Sequence, residues 1–305
     1  AVSTAYVFPG QGSQHPGMGR AFYESWGATR ERFDELDAAT DADLHGLCFG
    51  EETEGLGRTA NTQPAVFATG VATYAGVRER VGSPTYVAGH SLGHLTAAAA
   101  ADALGAAAGV ELVRRRGAVM QRAERTNGPG TMVSVLLADP GTVGEACERQ
   151  AGVGAAGSNG PRNTVVSGRS GAVGRVRAEL DDRTRARFVE LDVGGAFHSP
   201  VMEPAADPFA DALEAAPLRP ATVPICSDVT GEVYTDPAVA RRHLAAQLTS
   251  PIDWVSAVER LADRGVTRYV AFPPAAALAA LIDRIAPDAE TVTLESPADV
   301  EAIGG

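Results

Sequence analysis

A serine can carry an acyl group as an ester, and Ser91 sits where that chemistry needs it, in Gly89-His90-Ser91-Leu92-Gly93. The apolar run Tyr86-Val87-Ala88 ahead of it reads as a strand, and the Ala-rich stretch from Leu95 to Ala107 behind it reads as a helix. Gly-x-Ser-x-Gly between a strand and a helix has the form of a nucleophile elbow, whose glycines relieve crowding at a sharp turn and leave the hydroxyl exposed. A hydroxyl is a poor nucleophile until a base takes its proton. Among the 6 histidines the candidate base is His198, in Gly195-Ala196-Phe197-His198-Ser199-Pro200, where a small subdomain should return the chain to a larger one. His90 neighbours the serine but points away from it on the turn, which gives it a supporting role. His15, His45, His94 and His243 are read as surface residues, although His94 lies one turn into the elbow helix.

Attack on a thioester creates an oxyanion that needs N–H donors. The glycine-relieved loop Phe8-Pro9-Gly10-Gln11-Gly12-Ser13-Gln14 offers them, and the backbone N–H groups of Gln11 and Leu92 are the candidate pair. Arg114, Arg115 and Arg116 follow one another on an expected helix and must point in different directions, so at most one or two can face a cleft. A single inward guanidinium would receive a carboxylate, the group that separates a malonyl thioester from an acetyl one. These residues leave a serine hydrolase and an acyl transferase both open. A hydrolase of this kind usually has an acid between serine and histidine in chain order, and Asp192 is the nearby candidate.

The elements that must hold these groups follow from pattern. Tyr6-Val7-Phe8 is a strand broken by Pro9-Gly10, and a helix is expected from Val110 to about Arg125, with Leu112, Val113, Val119 and Met120 at helical spacing. Between Gly130 and Val193 the texture gives a strand at 132–137, a helix capped by Asp139 and opened by Pro140, strands at 153–156 and 164–167, a helix at 172–180 and a strand at 188–191. That βαββαβ order is the ferredoxin-like one. Beyond it, Ser250 and Pro251 signal a helix with Trp254, Val258 and Leu261 on one face, ended by Gly265. The strand 269–272 and a helix at 276–285 follow. The expected organisation is therefore α/β, with an α/β-hydrolase-like large subdomain at 1–127 and 196–305 and an inserted ferredoxin-like small subdomain at 128–195.

At 305 residues and 45% hydrophobic composition the chain can bury a full core. Its net charge of −12 argues against nucleic acid as a partner. All its basic side chains are arginines, which excludes lysine Schiff-base chemistry. Cys48, Cys147 and Cys226 are too far apart for a metal cluster or a disulfide framework, so buried thiols in a reducing, cytoplasmic setting are expected, and no signal peptide or membrane span is read.

Taken in order, these segments resemble the malonyl-CoA:acyl-carrier-protein transacylase family, including the acyltransferase domains of polyketide synthases. The carriers run along nearly the whole chain: the Phe8–Gln14 loop, Gln63-Pro64-Ala65, the Ser91 elbow, Arg116-Gly117 with Met120-Gln121, Asn159 before Thr164-Val165-Val166-Ser167-Gly168, Ala196-Phe197-His198-Ser199, and Gln247-Leu248 with Pro251 and Trp254. The resemblance implies that Ser91 is acylated, that His198 is its base, and that Gln247 orients His198 through its backbone carbonyl. It further implies Arg116 as the carboxylate receptor, Gln11 and Leu92 as the oxyanion donors, and Asn159, Gln63 and Met120 beside the cleft. Phe197 before the histidine, with Leu92, implies malonyl over methylmalonyl. No metal or resident cofactor is implied, since the CoA thioester enters as substrate. The implied partner is an acyl carrier protein; since carriers are usually acidic, a chain of net charge −12 needs a local arginine-bearing surface, for which Arg162, Arg169, Arg175 and Arg177 are candidates, an ordinary solvated face being the alternative. Two positions depart from the family pattern. His94 stands where glutamate is common, and Pro273-Pro274-Ala275 where Gly-Pro-Gly is common, which places the cleft entrance or carrier docking in question. Transfer of an unusual or substituted malonyl unit, exchange between two carriers, a thioesterase and an idle docking domain are the alternatives to malonyl transfer from CoA.

Overall fold

The computed structural model describes residues 2–51 and 53–304, Thr53 in its backbone only. Among the described residues, eleven strands form two sheets. In chain order they are β1 (Thr4–Phe8), β2 (Tyr86–Gly89), β3 (Gly130–Leu136), β4 (Val153–Gly160), β5 (Asn163–Arg169), β6 (Arg187–Glu190), β7 (Ile225–Cys226), β8 (Val233–Tyr234), β9 (Ile252–Asp253), β10 (Arg268–Ala271) and β11 (Glu290–Thr293). The larger sheet has the order β11-β10-β1-β2-β7-β8 and is parallel except where β8 pairs with β7. A parallel sheet is covered on both faces, and β1 shows it. Tyr6 and Phe8 pack into one apolar cluster with Phe67 and Leu95, while Ala5 and Val7 pack into another with Trp254, Val258 and Leu261.

The smaller sheet has the order β6-β3-β5-β4-β9. Its first four strands, with the helices Pro140–Glu148 and Ser170–Arg183, alternate as βαββαβ and enclose their own core of Val133, Val135, Val143, Val166, Val176 and Leu180. Asp139 caps the first of these helices by accepting from Thr142 N–H at 3.0 Å, with Pro140 in the first turn. Such a cap stabilises by about 1 kcal/mol.

Two expectations are corrected. The Ala-rich stretch is not one helix. The elbow helix runs Leu92–Ala100, the chain turns through Asp102 at φ 58°, and a second helix runs Ala106–Asn127. Propensity cannot see that break, because the turn is held by tertiary bonds such as Thr222 N–H to the Ala101 carbonyl. Ser250 and Pro251 do not cap a helix either. They lead into β9, which pairs in parallel with β4, and the helix begins at Trp254 with Asp253 as its cap. The segment between β1 and β2 is helical, with five helices among its described residues, the longest being Thr59–Val81.

Candidate active site

Ser91 stands at the C-terminal end of β2, where the chain reverses into the helix Leu92–Ala100, and its φ of 54° lies in the left-handed region that a non-glycine residue rarely adopts. The flanking glycines are sterically required. A Cβ on Gly89 would collide with the Gly93 backbone, and one on Gly93 would collide with the Phe8 carbonyl. The turn therefore lies against the end of β1 and raises the serine into a cavity of about 290 Å³ between the two sheets.

His198 is brought to the same point from the far side. It also has a left-handed backbone, φ 54°, and its Nε2 lies 2.7 Å from Ser91 Oγ. Its Nδ1 donates to the Gln247 backbone carbonyl at 2.8 Å, which leaves Nε2 as an acceptor for the serine proton. Burial, and secondarily the Arg116 charge, push the His198 pKa down to about 4, so the ring is a neutral base near pH 7. Asp192 has no part in this pair: it is exposed at the cleft mouth, and Gln247 holds the position a hydrolase acid would occupy.

Arg116 is completely buried on the helix Ala106–Asn127. Arg114 and Arg115, its neighbours, point outward and pair with Glu111. The Arg116 guanidinium donates to Gln63 Oε1 at 2.6 Å and to Gln247 Oε1 at 3.0 Å, and it lies 3.4 Å from Ser91 Oγ. Both strong acceptors are neutral amides, and Nε has no partner among the described residues. Burial lowers the Arg116 pKa to about 10, with Asp228 opposing the change. A desolvated cation bonded to no carboxylate is a seat for an anion.

Gln11 lines the cavity, its side chain tied to Gln63 at 3.3 Å and to Thr59 at 3.3 Å, so the Phe8–Gln14 loop is anchored to the helix Thr59–Val81. Met120, Phe197 and Asn159 line the same space. Asn159 Oδ1 lies 2.8 Å from His90 Nε2, so His90 links the nucleophile turn to the small sheet. Among the described residues, no cluster of three or more His, Cys, Asp or Glu side chains is arranged to hold a metal ion.

Two histidines read as surface residues are buried. His243 is 4% exposed and meets Glu232 at 2.8 Å, whereas His94 is 0% exposed. His94 Nδ1 donates to Asp228 at 2.8 Å, and its Nε2 lies 2.7 Å from the Tyr234 hydroxyl. The substitution at this position therefore lies beneath the nucleophile rather than at the cleft entrance. Asp228, which sequence reasoning missed, also accepts from Ser91 N–H at 2.7 Å and from Gln247 Nε2. One signal was available: a carboxylate just past the short apolar run Ile225-Cys226, at a strand end where ligand-handling residues of parallel sheets collect. The other departure, Pro273-Pro274-Ala275, precedes the helix Ala276–Ile285, whose Ala277, Leu278 and Leu281 do line the cavity.

Comparison with known proteins places this geometry. The profile described as an acyl transferase domain matches residues 5–296. A malonyl CoA-acyl carrier protein transacylase of Bacillus subtilis (strain 168) is 33% identical over 301 residues, 97% of this chain and 95% of that protein. The crystal structure of a malonyl-CoA:acyl carrier protein transacylase from Xanthomonas oryzae is 36% identical and superposes with a TM-score of 0.94, covering 99% of this chain and 98% of the other. A malonyl-transacylase in complex with its type II polyketide-synthase acyl-carrier protein is 29% identical with a TM-score of 0.93, covering 98% of each chain.

Proposed function

The chain belongs to the acyl transferase domain family, and from that premise we propose that it moves a malonyl group from coenzyme A, through an ester on Ser91, to the phosphopantetheine thiol of an acyl carrier protein in fatty-acid or polyketide synthesis. The observation that carries the cargo is Arg116: a buried cation that reaches the Ser91 hydroxyl at 3.4 Å, and whose shorter bonds among the described residues go to neutral amides, suits an acyl group with a free carboxylate. Acetyl has no group for that seat.

In the first half-reaction Ser91 Oγ attacks the thioester carbonyl as its proton passes to His198 Nε2. The Gln11 and Leu92 N–H groups receive the oxyanion, the C–S bond breaks, and His198 returns the proton to the CoA thiolate. In the second, the carrier thiol gives its proton to His198 and attacks the ester carbonyl, and Ser91 Oγ leaves with that proton. Gln247 keeps His198 in the right tautomer through its carbonyl, while Phe197 and Met120 bound the acyl space, with Gln63 and Asn159 at its edges. The grouping of strands supports 128–195 as the small subdomain and 1–127 with 196–305 as the large one, although β9 crosses to the smaller sheet. Three buried, unpaired thiols support a cytoplasmic setting.

Intact-mass measurement after mixing with malonyl-CoA tests the proposal. A malonyl adduct is expected on the protein and is lost in Ser91→Ala. Survival of the adduct in that variant, or release of free malonate as fast without carrier protein as transfer occurs with it, would refute the assignment.

A further inference from the structure

Beneath the nucleophile lies a polar cluster that none of the steps above uses. Asp228 and His94 are both 0% exposed, and the Tyr234 hydroxyl closes the chain beyond His94. A buried carboxylate is costly unless its lone pairs are filled. Asp228 fills them with Ser91 N–H at 2.7 Å, His94 Nδ1 at 2.8 Å, and Gln247 Nε2 at 2.8 Å and 3.1 Å. These donors keep its pKa below the ordinary carboxylate value despite burial, so the group is an anion near pH 7.

The partners matter more than the charge. Ser91 N–H belongs to the strained turn that carries the nucleophile, and Gln247 belongs to the residue whose carbonyl holds His198. The Gln247 side chain has its NH2 end between Asp228 and the Ser91 carbonyl, 2.8 Å away, and its oxygen end on Arg116. We propose that Asp228 is a positioning residue for malonyl transfer: its carboxylate tethers the Ser91 turn directly and, through the Gln247 amide, holds Arg116 where the substrate carboxylate must land. His94 and Tyr234 fix Asp228 from below. One buried carboxylate thus ties the nucleophile, the base holder and the carboxylate receptor into a single bonded unit.

An amide can replace this carboxylate without breaking the pattern. In Asp228→Asn the side-chain oxygen accepts from Ser91 and Gln247, while the NH2 donates to His94 Nδ1. His94 then carries its proton on Nε2 and donates it to the Tyr234 oxygen. Asp228→Leu leaves Ser91 N–H and one Gln247 proton unpaired.

The inference rests on Arg116 as the carboxylate receptor, and the test separates the two. Acylation of the full chain is followed by intact mass with malonyl-CoA and acetyl-CoA in competition, in Arg116→Ala, Asp228→Leu, Asp228→Asn and Gln247→Met. Arg116→Ala should cut the malonyl-to-acetyl ratio by about 10- to 100-fold, the worth of a charge-assisted bond. Asp228→Leu and Gln247→Met should each cut it by about 10-fold, and Asp228→Asn should keep it within about three-fold of the starting ratio. An unchanged ratio in Arg116→Ala refutes the receptor reading itself. A collapse in Arg116→Ala alone, with the ratio intact in Asp228→Leu and Gln247→Met, overturns only the positioning role, as does an equal fall in Asp228→Asn and Asp228→Leu. Should Asp228→Leu fail to fold, Gln247→Met retains the His198 carbonyl contact and decides the matter with Asp228→Asn.

Discussion

At the level of single residues, the site sets a buried imidazole beside a buried cation. His198 ordinarily titrates near 6.5, and burial together with Arg116 brings it to about 4, while the Gln247 carbonyl and Asp228 resist. Only the neutral ring can accept the Ser91 proton, so kcat/KM for malonyl-CoA should stay level from pH 8 to about 5 and fall below that. Removing the Arg116 charge removes part of the depression, so the acid limb of Arg116→Met should move up toward 6.5. A limb that stays in place would mean that burial alone sets the base. The same shift bears on stability, because the unfolded chain takes this proton near 6.5 and the folded chain only near 4. The stability contributed by keeping the ring neutral is present above pH 6.5 and declines as pH falls toward 4.

Among the elements, those with many residues of one period were legible in the sequence: the strand and turn at Ser91 and the presence, though not the end, of the helix behind it, the βαββαβ insertion, and the cap at Asp139-Pro140. What was illegible lies on pieces too short to have a period. Asp228 and Tyr234 lie on or just beyond two-residue strands and meet His94 from 134 and 140 residues away, a separation no local pattern encodes. Ser250-Pro251 shows the converse, a strong helix-start signal overridden by pairing of β9 with β4. The helix Ala106–Asn127 also holds a group whose role is mechanical. Two turns beyond Arg116, Glu124 packs against Gly194 and Gly195, where the chain leaves the small sheet for His198, and a Cβ on Gly195 would collide with its carboxylate. Glu124 Oε1 is buried without a partner among the described residues, and burial raises the Glu124 pKa from 4.5 to about 7. The folded chain therefore keeps a proton that the unfolded chain releases, and stability is lost as pH rises from 4.5 through 7. Glu124→Gln should raise the melting temperature, by more at pH 8 than at pH 5. An equal gain at both would show that the carboxyl is not titrating in this range.

For the whole molecule the question is electrostatic, since a chain of net charge −12 must receive a carrier protein that is itself usually acidic. Long-range repulsion slows such an encounter, and only a local cationic surface reverses it. Several arginines on the helices beside the small sheet are already spent on neighbours: Arg149 and Arg183 on Glu179, and Arg177 on Glu190 at 4.0 Å. Arg162 and Arg169 are exposed and meet no carboxylate among the described residues. They flank β5 at opposite ends, and Arg162, whose guanidinium donates to the Leu137 carbonyl at 2.7 Å, directly precedes Asn163, which lines the cavity. Charge reversal in Arg162→Glu should raise the KM for carrier protein by about 10-fold at low salt and flatten its salt dependence, with malonyl loading from CoA unaltered. The same change at Arg169, at the far end of the strand, should do less. Stopped-flow transfer measured from 25 mM to 300 mM salt, an order-of-magnitude span of ionic strength chosen to cover about 20 Å down to about 6 Å of screening length, reads both. Equal effects at the two positions would point to net charge rather than a docking rim. No effect at either would place the carrier on another face of the cleft.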